Sequence, residues 1–150
     1  MKCIGDCSYI SASSGEVNIC DSQAGQVITV PGTTIISPNH PGNYQGNLDC
    51  EVSIQLSERV RIRFEAFNVE SHSSCRYDYL EVRDGESSSS RIIGSKLCGY
   101  VTPDVIESTG SSMTLVFHTD SSGRETGFKI LAELGKIRLS LNEIGFVTSN

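Results

Sequence analysis

The chain has 150 residues, enough for one domain with its own core and too few for two of ordinary size. Eighteen acidic against twelve basic residues leave a formal charge of -6, which argues against nucleic-acid backbones and anionic membranes as partners. No run of about 18 apolar residues offers a bilayer span, and the polar opening Met1–Ile10 lacks a signal-peptide apolar segment, as expected of a processed chain with Met1 added.

Six cysteines occur without a CxxC pair or a Cys/His cluster at zinc-finger spacing, so they read as disulfides and place the chain in an oxidising compartment, secreted or in an ectodomain. Residues 1–19 are rich in Ser and Gly and form a lead-in carrying Cys3 and Cys7. Their proximity favours a small local bridge; pairing with a neighbouring module or chain is the alternative, and six cysteines allow about 15 connectivities. From Cys20 onward the apolar residues alternate with period two. Residues 50–56, 60–64, 80–82, 113–117 and 128–132 each read as a half-buried strand. Turn-forming groups separate them at Ser37–Asn43, Asp84–Gly85, Thr109–Ser112 and Asp120–Gly123. No stretch sustains a helical period. Many short strands with close turn signals predict an all-β fold, a two-sheet antiparallel β-sandwich of the jelly-roll kind.

Between two of these strands, Phe64 to Gly85 carries Glu70 and Asp78 on either side of a Ser-His-Ser-Ser loop that ends at Cys75. The arrangement suits the holding of a ligand. Taken singly, each acid has an ordinary structural role: Glu70 as a loop acid, Asp78 as a strand-end charge, Asp120 as the cap of the Ser-Ser-Gly turn. Arg59, Arg61 and Arg63 project from one strand as a basic ridge about 13 Å long. That ridge either grips a sulfated glycan or is a solvated face that discourages edge-to-edge aggregation. His40, His72 and His118 are scattered, with no His-Glu-x-x-His and no Gly-x-Ser-x-Gly, so no enzymatic activity is expected. Residues 135–150 form a C-terminal extension in which Ile137, Leu139 and Leu141 alternate as an added strand would; they belong to this sheet, to a following module, or to an edge pairing with another chain.

The stretch from Cys20 to Leu134 resembles the CUB domain, an extracellular β-sandwich module of complement proteases, tolloid-like proteases and receptors. The marks are Ser37-Pro-Asn-His-Pro-Gly-Asn-Tyr44, Phe64-Glu-Ala-Phe-Asn-Val-Glu70, Cys75-Arg-Tyr-Asp-Tyr-Leu-Glu-Val-Arg-Asp-Gly85, Leu97-Cys-Gly99, Ile106-Glu-Ser-Thr-Gly110 and Phe117-His-Thr-Asp120 with Gly127-Phe128. Two positions depart from the family: Asp21-Ser22 replaces Gly-Gly after the first cysteine, and Val52 stands where an aromatic is usual. The resemblance implies the pairings Cys20 with Cys50 and Cys75 with Cys98. It also implies one calcium ion held by the carboxylates of Glu70, Asp78 and Asp120 and by carbonyls of Ser122 and Gly123, with Tyr44 orienting a ligating carboxylate. A partner protein would then present a lysine or arginine to Tyr44, Glu70, Asp120 and Ser122, with affinity gained by repetition along an oligomer.

Overall fold

The computed structural model describes residues 15–21 and 26–135. Their regular structure is ten strands: β1 Glu16–Asn18, β2 Val27–Ile28, β3 Thr33–Ile36, β4 Asp49–Gln55, β5 Val60–Asn68, β6 Tyr79–Asp84, β7 Arg91–Ile92, β8 Ile106–Glu107, β9 Ser112–His118 and β10 Gly127–Leu134. The five strands with legible alternation became β4, β5, β6, β9 and β10. The other five have two to four residues each, too few to display a period. Cys3, Cys7 and the expected strand at 137–141 lie outside the described residues. No helix among the described residues is long and apolar enough to cross a membrane.

Two five-stranded sheets form the sandwich, one ordered β1-β3-β10-β5-β8 and the other β2-β4-β9-β6-β7. Within each, the inward positions of alternating strands are buried: Val52 and Ile54 on β4, Leu80 and Val82 on β6, Met113, Leu115 and Phe117 on β9, Phe128, Ile130 and Ala132 on β10. Phe117 meets both Tyr44 and Phe128 edge to face, at centroid distances of 5.2 and 5.0 Å. With Val52 in place of an aromatic, these rings fill the centre.

The sheets are mixed rather than wholly antiparallel. β1 runs parallel to β3, and β2 parallel to β4. The reason is the order of travel: the chain crosses from one sheet to the other at each of its first steps, so β1 and β2 each lie beside the strand two places later in the chain, reached after two reversals and therefore pointing the same way. β1 falls inside the stretch read as a lead-in. On β5, Phe64 and Phe67 are three residues apart yet both are buried, which simple alternation forbids. A β-bulge resolves this: Phe64 faces Ile130 and Ala66 faces Lys129, leaving Glu65 as the extra, exposed residue.

Two disulfides lie among the described residues. Cys20–Cys50 ties the turn after β1 to β4 in the opposite sheet. Cys75–Cys98 ties the loop after β5 to the segment that follows β7.

Candidate metal centre

Three chain segments converge at one end of the sandwich. Glu70 follows Val69, whose N–H and C=O both bond to Gly99, at 2.9 and 2.7 Å. Asp78 immediately precedes β6, and Asp120 follows β9 by two residues. Because Tyr79 on β6 is paired with His118 on β9, the two aspartates come from neighbouring strand ends. Carboxylate oxygens of Glu70, Asp78 and Asp120 lie within 4.8 Å of one another.

Asp78 is fully buried. Its Oδ1 accepts the backbone N–H of Asp120 at 2.8 Å, and its Oδ2 accepts the Tyr44 hydroxyl at 2.7 Å. The Tyr44 oxygen in turn accepts the N–H of Glu70 at 3.1 Å, so one phenol links the two acids. Asp120 Oδ1 accepts the N–H of Ser122 at 3.1 Å, which folds the chain into an Asx turn. Gly123 follows with φ of 79°, and a Cβ there would fall inside the Glu70 carboxylate. Glycine therefore serves both conformation and space at this position.

The electrostatics are one-sided. None of the three carboxylates is ion-paired among the described residues. Glu70 Oε2 is buried and has no hydrogen-bond partner among them. Burial, then the charges of Asp78 and Asp120, hold the Glu70 carboxyl above the usual carboxylate range. Asp78 is also pushed up, chiefly by burial, although its bonds from Tyr44 and the Asp120 N–H act in the opposite sense. The Tyr44 phenol is pushed far above its ordinary value by burial and by its bond to Asp78, so it stays protonated and donating. Hard oxygens with surplus negative charge and no counter-charge suit a hard divalent cation.

The structure brings together Glu70, Asp78, Asp120, Ser122, Gly123 and Tyr44. One expected role changes. Tyr44, expected also to meet a partner, has no exposed surface, because its ring packs into Phe117 and its oxygen bridges the acids. Three residues were missed in the sequence. Glu125 adds its charge to the field on Glu70, and accepts from Asn68 Nδ2 at 3.4 Å. Asn47 donates its N–H to the Asp120 carbonyl at 2.9 Å, and a Cβ on Gly46 would lie 2.7 Å from that oxygen. The Gly-Asn pair after Tyr44 is a turn signal, but nothing in it names Asp120 as its neighbour.

The arginine ridge lies at the far end of β5, roughly 30 Å from Glu70 along the strand. Arg59 pairs with Glu107 on β8 at 3.0 Å and donates to the Ser108 carbonyl at 2.9 Å, while Arg61 lies 3.4 Å from Glu133 on β10. Arg63 is exposed. The histidines have separate engagements: His40 with the Thr126 carbonyl, His72 with Ser74 and His118 with Asp49.

The family model for the CUB domain matches residues 20–131, most of the chain. The chain belongs to the CUB domain family. Among curated proteins, this CUB domain is 42% identical over 98 residues to bone morphogenetic protein 1 of Xenopus laevis, covering 64% of this chain and 14% of that protein. It is 38% identical over 111 residues to human tolloid-like protein 1, covering 73% and 11%. The chain thus spans about a seventh or less of these relatives. Among solved structures it matches the MASP-1 CUB2 domain bound to Ca2+ with a TM-score of 0.64 and 31% identity, over 73% of this chain and 97% of that one. CUB domains are non-catalytic protein-interaction modules typical of extracellular proteins, and the described part of this chain has that fold.

Proposed function

We propose that this CUB domain acts outside the cell as a calcium-organised adhesion site for a basic side chain of a partner protein. The observation that carries the proposal is the buried Glu70 Oε2, beside Asp78 and Asp120, with no hydrogen-bond partner of its own and no cationic side chain paired to any of the three among the described residues. Glu70, Asp78 and Asp120 would supply carboxylate oxygens, and the Ser122 and Gly123 carbonyls would complete the donor set together with water. Calcium, when bound, neutralises the repulsion among the three acids and fixes their loops. The binding of Ca2+ by the MASP-1 CUB2 domain supports the choice of ion.

The chain's own residues do the rest. Tyr44 holds Asp78 and the Glu70 backbone in register, and the Asx turn at Asp120 presents Ser122 to solvent. A partner ammonium or guanidinium meets the outward oxygens of Glu70, Asp120 and Ser122 as charge-assisted hydrogen bonds, with little ordering cost once the loops are fixed. One such contact is weak, so useful affinity comes from several copies engaging a repetitive partner.

Calorimetric titration with calcium, run beside thermal unfolding with and without chelator, tests the proposal. Wild type should take up one ion and melt higher when loaded, whereas Asp120→Ala should do neither. A flat titration at millimolar calcium would overturn the metal site. Calcium binding without calcium-dependent capture of a multivalent lysine-presenting polypeptide would overturn the adhesion role alone.

A further inference from the structure

On β9 the inward positions are Met113, Leu115 and Phe117, and the alternation carries on to Thr119, which is 1% exposed. An apolar row thus ends in a hydroxyl. Its bonding is complete: Thr119 Oγ1 accepts the Leu48 N–H at 2.9 Å and donates to the Gln45 carbonyl at 3.0 Å. The Thr119 N–H donates to the Leu48 carbonyl at 2.9 Å. β4 and β9 are paired as far as Asp49 and His118, so the next pair would be Leu48 with Thr119. In a continued antiparallel ladder these two residues would exchange both backbone bonds, and the Leu48 N–H would go to the Thr119 carbonyl. Here the Thr119 side chain takes that bond. The regular ladder ends, and the chain turns into the loop that carries Asp120.

Residues 44–48 reach all three acids of the metal centre. The Tyr44 hydroxyl donates to Asp78 at 2.7 Å and accepts the Glu70 N–H at 3.1 Å. Asn47, with φ of 58°, donates its N–H to the Asp120 carbonyl at 2.9 Å. Gly46 approaches so closely that a Cβ there would lie 2.7 Å from the same oxygen. The Thr119 hydroxyl grips this segment at Gln45 and at Leu48, on either side of the Gly46-Asn47 contact. A cation that takes six to eight oxygens at about 2.3 to 2.6 Å depends on where each carboxylate is held, so groups that orient its ligands count along with the ligands.

We infer that Thr119 is a positioning residue of the metal centre: its hydroxyl latches residues 45–48 to the end of β9 and so sets where Asp120 stands relative to Asp78 and Glu70. It acts through Asp120 and supplies no donor atom itself. The inference rests on the calcium site proposed above and deepens it.

The test separates positioning from plain core packing. Thr119→Val keeps the shape and removes the hydroxyl, whereas Thr119→Ser keeps the hydroxyl and removes a buried methyl. Thr119→Ala and Thr119→Ser form a second pair, which differ in the hydroxyl alone and serve if the valine variant does not fold. Calcium affinity is measured by calorimetry well below each melting transition, and unfolding is followed in chelator. The expected result is that the valine and alanine variants bind calcium about 10- to 100-fold more weakly than wild type. The serine variant should melt lower in chelator yet bind calcium as wild type does. Gly46→Ala, with Thr119 intact, should also weaken calcium binding, since its methyl must push the Asp120 carbonyl away. In chelator, the Leu48 amide should exchange with solvent faster in Thr119→Val than in wild type, while the Ile130 amide in the core of β10 stays protected. Wild-type calcium affinity in folded Thr119→Val or Thr119→Ala would overturn the positioning role and leave the metal site standing. Equal weakening by serine and alanine would trace the effect to packing and overturn it as well. A flat titration of wild type at millimolar calcium would bring down the metal site and the inference together.

Discussion

Glu70 and Asp78 hold their protons more tightly in the folded chain than ordinary carboxyls do, for reasons led by burial. Without metal, the folded state binds more protons than the unfolded one over an interval that starts in the ordinary carboxylate range, about pH 4, and runs up to the raised values. The contribution of these two groups therefore falls as pH rises through that interval, and the penalty is complete above it. Asp84 works the other way: the Thr109 N–H lowers its pKa, so its stabilisation is present above the ordinary carboxylate range and lost as pH falls through its lowered folded value. The measurable quantity is thus a difference between proteins. In chelator at pH 7, Glu70→Gln should melt about 2 to 5 °C above wild type, and the gap should close toward pH 4. In calcium the order should reverse, because the variant loses a ligand. Gly123→Ala should separate stability from metal binding. Its φ of 79° costs a non-glycine residue about 1 kcal/mol, whereas the added methyl must displace the Glu70 carboxylate. Denaturant unfolding in chelator should show the small loss, and calorimetry should show calcium affinity reduced at least about tenfold.

At the scale of elements, the two disulfides provide a matched pair. They close loops with sequence separations of 30 and 23 residues, so the loop-entropy account assigns each about 3 to 4 kcal/mol. Their positions differ. Cys75–Cys98 anchors the loop between Glu70 and Asp78, whereas Cys20–Cys50 joins the turn after β1 to β4 and includes no residue of that loop or of the Asp120 turn. Cys75→Ala/Cys98→Ala and Cys20→Ala/Cys50→Ala should lose similar stability in urea, but only the first should also lower calcium affinity in protein that is still folded. Equal effects on calcium would show that the bridges act on the site through global stability alone. The long strands were legible in the sequence because alternation over five or more residues has one reading. The bulge at Glu65 was not, since the Phe64–Phe67 spacing makes sense only against β10. The two parallel edges were equally hidden, because direction follows from crossings between sheets rather than from any local pattern.

Over the whole molecule, the net charge of -6 opposes polyanions. The arginine ridge is locally offset too, by Glu107 and Glu133 from the strands on either side of β5. The chain should therefore pass through immobilised heparin at about 0.15 M salt, where charges are screened beyond about 8 Å. Glu107→Gln/Glu133→Gln should begin to be retained. Retention of wild type that falls with Arg63→Ala and does not depend on calcium would instead favour a glycan-binding face.

What the sequence by itself determined was the class of fold, the family, the long strands and the presence of three acids at strand ends. Each of these is written in local alternation, turn chemistry or ordered motifs. Tertiary structure decided what those acids are to each other. Glu70, Asp78 and Asp120 become neighbours only because β6 pairs with β9 and the end of β5 is tied to Gly99. The same packing buried Tyr44 as a bridge between acids and gave Arg59 and Arg61 their partners. Burial and cross-strand pairing depend on which distant strands become adjacent, and no window of sequence contains that information.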